Sequence, residues 1–204
     1  MGKQTAKSSA KKRLRTYARE VPPDAAVQAV FMALEPQHNA YADHAIAVIG
    51  ASYVEKALEA AIAARLVPMP IDDRAGLFDY NQNGPMAELS ARIKMARALG
   101  IVGPKTYADL ERIREIRNHF AHAVRLLKFE QAAVADLCDE LHTPKVIRPM
   151  DRMLLALGDE DTPRRRYIET VLILVGWLKS SLAVPRRGVI TKQGFVHTAG
   201  GLLD

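Results

Sequence analysis

Ile113-Arg114-Glu115-Ile116-Arg117-Asn118-His119-Phe120-Ala121-His122 is the stretch on which the fold turns. Read back to Pro104, it sets Leu110, Ile113, Ile116, Phe120 and Val124 at three- and four-residue steps. That is the apolar stripe of a helix and not the alternation of a strand. Pro104 suits a first helical position, where its missing N–H needs no partner. The spacing predicts a helix over 104–124 with those five side chains turned inward.

Working outward, Gly100 and Gly103 close a preceding helix whose stripe is Met86, Leu89, Ile93, Ala96 and Leu99, with Pro85 as its expected first residue. Residues 71–84 are dense in turn formers and read as a connector. A long helix is expected over 40–66, with Ile46, Ile49, Tyr53, Ala57, Ala60 and Ala64 on one side and Pro68 and Pro70 beyond its end. Its many alanines imply close helix–helix approach. Asp24 is the expected N-cap of a short helix to Leu34. After the central stretch come a short helix over 130–141, a loop around Thr143-Pro144 and Pro149, and a strong helix over 163–182 that stops before Pro185. No strand pair, internal repeat or heptad seam is visible. The expectation is an all-α protein, a compact bundle of roughly five to seven helices. Residues 24–183 form its single domain, between a basic disordered tail over 1–23 and a loose tail over 184–204.

Charge is unevenly placed. The 204 residues carry a net +6. Residues 1–20 hold Lys3, Lys7, Lys11, Lys12, Arg13, Arg15 and Arg19 against Glu20 alone, so the remaining 184 residues balance at 22 of each sign. Such a segment buries too little apolar surface to offset its ordering entropy. Its seven cations are the candidate nucleic-acid-binding residues, and their contribution is expected to be non-specific and salt-sensitive. A solubilising extension is the alternative. One cysteine, Cys138, excludes an intramolecular disulfide framework and reads as a small buried hydrophobe. The longest apolar run, Val171 to Leu178, is far short of the roughly 20 residues a membrane span needs. No secretory signal is read, and a cytoplasmic, non-membrane protein is expected.

Chemistry concentrates near residue 117. On an ideal helix Arg117 lies about 40° from Ile113, within the apolar face. A guanidinium there needs a carboxylate, carbonyl oxygens or a partner chain. Glu55, Asp79 and Glu88 are candidate acceptors. His122 falls about 140° and about 7.5 Å from Arg117 along a regular helix. The two meet only if the helix ends or distorts, or if a second copy brings its own residues alongside. His119 and His122 stand three apart, but no metal set completes around them, and no metal or cofactor is expected. Arg92, Lys94 and Arg97 read as side chains snorkelling over apolar neighbours.

Arg117-Asn118-His119-Phe120-Ala121-His122 resembles the arginine–four residues–histidine signature of HEPN domains, which are small helical bundles, often dimeric. The resemblance implies a catalytic set of Arg117, Asn118 and His122. Arg117 would stabilise phosphate charge and His122 would act as acid or base in 2′-hydroxyl attack. The competing reading has Arg117 and Asn118 fixing helix packing and His122 at a helix end, where a cation is favoured.

A broader set of motifs runs through the chain. Leu77-Phe78-Asp79-Tyr80, Asn83-Gly84-Pro85-Met86, the run Leu89 to Gly100 and Ile113-Arg114-Glu115-Ile116-Arg117-Asn118 occur in that order. Together with Ala51-Ser52-Tyr53, they resemble the mannitol operon repressor family over about residues 40–145. Asp43-His44 stands where that family typically has Asp-Arg. The resemblance implies an all-helical, transcription-linked regulator without a recognisable helix-turn-helix. The 85–100/104–124 pair superficially suits that motif, but Thr106, Tyr107, Asp109 and Glu111 would face phosphates poorly.

The leading reading is a non-enzymatic regulatory or interaction protein, a homodimer, acting through a protein partner or through nucleic acid at the basic tail. A metal-independent HEPN-type ribonuclease using Arg117 and His122 is one alternative. A purely structural scaffold subunit is the other.

Overall fold

The computed structural model describes residues 24–146 and 160–183. The expected tails over 1–23 and 184–204, with all seven candidate cations, lie outside the described residues. Eight α-helices and no strands occur among the described residues: α1 Asp24–Leu34, α2 Ala40–Ala63, α3 Ile71–Phe78, α4 Leu89–Ala98, α5 Pro104–His122, α6 Ala132–Asp139, α7 Thr143–Val146 and α8 Pro163–Ser180.

Small side chains on α2 set the packing. Its buried positions include Ala42, Ala47, Gly50, Ala51, Ala57 and Ala61, so neighbouring backbones approach closely, and α8, α5 and α4 all pack against it. Gly50 shows how little room remains. A Cβ there would stand 3.1 Å from Tyr167 Cε1 and 3.3 Å from Phe31 Cζ. Asn39 starts α2 by accepting from the Tyr41 and Ala42 backbone N–H groups, two donors no helical carbonyl can satisfy. Thr162 caps α8 by accepting from the Arg165 N–H, with Pro163 as its first residue.

The core is continuous from Val27 on α1 to Leu178 on α8. Aromatic rings run through it. Phe120 on α5 packs at 5.0 Å from Phe129, which packs at 5.2 Å from Tyr167 on α8. The Tyr167 hydroxyl donates to Ala47 O at 2.7 Å, tying α8 to α2. Complete burial of that phenol pushes its pKa well above the usual value. Burial likewise pushes the Cys138 thiol up to about 12, consistent with an inert hydrophobe.

Buried polar clips fix the loops. Asp43 on α2 accepts from Phe129 N at 3.2 Å and faces Arg164 Nε at 3.3 Å. Arg164 also donates to Leu34 O and Gln37 O at the end of α1. Asp109 on α5 accepts from His142 N, Thr143 N and Thr143 Oγ1 at 2.7–2.8 Å, anchoring the start of α7.

The structure corrects four local expectations. Residues 71–84 contain helix α3 and a 3-10 turn at Tyr80–Gln82 where a connector was expected. Thr143-Pro144, read as loop, opens the four-residue helix α7. With α3, it raises the described count above five to seven. Pro85 does not open a helix. The chain turns at 83–87, and α4 begins at Leu89. Val124 does not turn inward: α5 ends at His122, Ala123 is extended, and Val124 is fully exposed.

Candidate interaction site

Glu55 and Glu59 stand four apart on α2 and so share one face. Arg92 of α4 reaches across to them. Its Nη1 lies 3.3 Å from Glu55 Oε1 and 3.2 Å from Glu59 Oε2. The rest of the guanidinium is consumed by backbone oxygens. Nε donates to Met86 O at 2.8 Å and Nη2 to Phe78 O at 3.0 Å. The charge also sits 5.6 Å from the centre of the Phe78 ring. Only 3% of Arg92 is exposed. The snorkelling expected of Arg92 is therefore corrected: both ends of the side chain are buried, and the charge is paired and hydrogen-bonded as burial requires.

The motif around residues 77–86 folds onto this arginine. Asp79 Oδ1 accepts from Asn81 N and Nδ2, and Asn83 adopts a left-handed conformation with φ 51°. Met86 N donates to Leu77 O at 2.9 Å. Gly84 is pressed against that carbonyl, where an added Cβ would come within 2.5 Å of Leu77 O. The motif thus delivers the Phe78 and Met86 carbonyls to Arg92.

Beside this assembly lies a groove of about 430 Å³, lined by Ser52, Glu55, Glu59, Arg74, Tyr80 and Asn81 among others. Lys56 Nζ and Arg74 Nη2 approach Glu59 at 3.3 and 3.5 Å. Burial raises the Glu55 carboxyl above its ordinary pKa, opposed by the charges of Arg92, Lys56 and Arg117. Ile71 and Tyr80 stand at the rim, 87% and 71% exposed. Carboxylates, cations and exposed apolar groups in one shallow groove suit binding a polypeptide segment by mixed contacts.

Arg117 is half-buried on α5 and donates to Asn118 Oδ1 at 3.0 Å. Of its three candidate acceptors, Glu55 feels its charge, which works to lower that carboxyl's pKa. Asn118 is half-buried and His122 is exposed. Because α5 runs unbroken through both positions, Arg117 and His122 keep the helical offset of about 140°. A single chain does not bring them together. His119 is exposed as well, and no cluster of three His, Cys, Asp or Glu able to hold a metal occurs among the described residues. Sequence reasoning missed the buried arginine at 92. The available signal was a pair of glutamates on an otherwise alanine-rich helix, which needed a cation from elsewhere.

Residues 78–170 match the family model described as mannitol repressor. The match takes in the Phe78–Met86 turn, Arg92, all of α5 and the first turns of α8. No curated protein matches the chain. A chain in the X-ray structure of the MtlR-HPr complex from Escherichia coli is similar at 20% identity and a TM-score of 0.42, over 63% of this chain and 88% of that one. Over residues 78–170, then, the chain is similar to the mannitol repressor family.

Proposed function

We propose that this protein is a cytoplasmic regulator of the mannitol-repressor type, a homodimer that works by binding a macromolecular partner and not by turning over a small molecule. The observation that carries the reading is the family match over 78–170, which contains the loop clasped by Arg92 and the whole of α5. The groove beside Glu55 and Glu59 supports a protein partner by its mixed charged and apolar lining. The seven cations of residues 1–19 support an added, sequence-independent attraction to nucleic acid. No helix among the described residues is long and apolar enough to cross a membrane.

The test is a reporter gene under a mannitol-operon promoter in the native host. Expression of the full chain is expected to lower reporter output, and deletion of its gene to raise it. Unchanged output in both strains would overturn the regulatory reading. Sedimentation equilibrium tests the dimer separately, with twice the 22.5 kDa chain mass expected.

A further inference from the structure

We propose that residues 70–87 form a strap that opens as one unit while the rest of the bundle stays folded, with the Arg92 guanidinium as its clasp. The inference does not depend on the regulatory reading. Within the strap the chain satisfies itself. Gly84 N donates to Asp79 O, Asn83 N to Tyr80 O and Met86 N to Leu77 O, while Asp79 holds Asn81. Toward the bundle, its apolar attachment centres on Phe78 and Met86, with Leu77 packed part-buried beside them. Of the eight residues of α3, only Phe78 is buried. Met86 is the second apolar plug, and each of the two is 5% exposed.

One buried side chain concentrates much of the polar attachment seen among the described residues. Arg92 takes Phe78 O and Met86 O from the strap and presents Nη1 to Glu55 and Glu59 on α2. A further ion pair, Arg74 to Glu59, is at 3.5 Å with Arg74 nearly half-exposed. Segments with few buried apolar contacts and solvent-facing backbone open at lower free energy than the core they rest on. Opening here uncovers the two glutamates and the apolar seats of Phe78 and Met86 together. It therefore changes both the charge and the hydrophobicity of the groove in one step.

Hydrogen–deuterium exchange of the full chain, resolved by peptide, tests the proposal. In wild type the hydrogen-bonded amides of 71–87 are expected to exchange together, at least about tenfold faster than those of α2, α5 and α8. In Arg92→Lys, which keeps the charge but not the forked reach to two carbonyls, the 71–87 amides should accelerate a further ~10-fold while α5 and α8 stay unchanged. Wild-type exchange of 71–87 at the rate of α5 would overturn the proposal. So would a uniform acceleration of all helices in a folded Arg92→Lys protein. If that variant does not fold, Glu55→Gln/Glu59→Gln serves instead. Its strap amides alone should accelerate, and unchanged strap exchange in it would count against the clasp.

Discussion

Asp109 is fully buried on α5, yet its two oxygens meet two backbone N–H groups and a hydroxyl at the start of α7. Removing the carboxylate leaves the fully buried Thr143 N–H and hydroxyl without an acceptor, and each unsatisfied buried donor costs about 1–3 kcal/mol. Asp109→Ala is therefore expected to lose about 2–4 kcal/mol in urea-induced unfolding. A loss below about 0.5 kcal/mol, the scale of an ordinary surface change, would show that the anchor is not needed. Glu55 poses a different residue-scale problem. Its carboxyl titrates above the ordinary value chiefly because it is buried. The folded state thus holds a proton that the unfolded chain releases, and Glu55 contributes stability that is lost as pH rises through and beyond the normal carboxylate range. Glu55→Gln removes that loss. The stability of the variant relative to wild type should rise as pH increases from about 4 to 7, measured as urea midpoints at several pH values. A difference that falls with pH would contradict the raised pKa.

At the scale of elements, helix ends decide as much as helix faces. Asn39 satisfies two orphan donors of the 24-residue helix on which α4, α5 and α8 rest. Asn39→Ala should cost about 1 kcal/mol, seen as a drop in thermal midpoint, with Asn39→Asp retaining most of the wild-type value. Equal midpoints for Ala and Asp would show the cap to be idle. The same scale explains which elements were legible in the chain. Pro104 and Pro163 open helices as their sequence context predicts. Pro85 does not, because Asn83, Gly84 and the Met86–Leu77 hydrogen bond hold the backbone in a turn until Leu89. The stripe of Met86, Leu89 and Ile93 is buried as expected, but a buried stripe does not reveal where the helix starts. Helix α3 was hidden because its first half is solvent-facing and Phe78 is its single fully buried residue, too few positions to make a stripe. Val124 continued the periodicity of α5 two residues beyond His122, where the helix ends and Ala123 becomes extended.

At the scale of the molecule, what was legible and what was not divide along contact distance. Periodicity along one helix revealed the bundle, whereas the Arg92 cluster joins residues 37 apart across α2 and α4, and no local pattern announces such a pairing. Arg117 drew attention because it lies on an apolar flank, but Arg92 and Arg164 are more deeply buried, and the counter-charges of both lie on a different helix. Charge shows a similar division. All the excess positive charge lies in residues 1–20, and the other 184 residues are neutral. If nucleic acid is bound through that segment, its affinity is a counterion-release effect, and the logarithm of the binding constant should fall with log salt by roughly 0.9 per phosphate neutralised. Fluorescence anisotropy with a labelled duplex of random sequence, over about 50 to 200 mM salt, measures that slope. For the full chain, a slope magnitude of about 4–6 is expected, insensitive to duplex sequence. Replacing all seven cations by glutamine should bring the slope close to zero and weaken binding at 50 mM salt by at least about a thousandfold. Retained affinity and slope in that variant would place the phosphate contacts within residues 21–204, whose neutral charge balance would then have to conceal a locally basic segment or face.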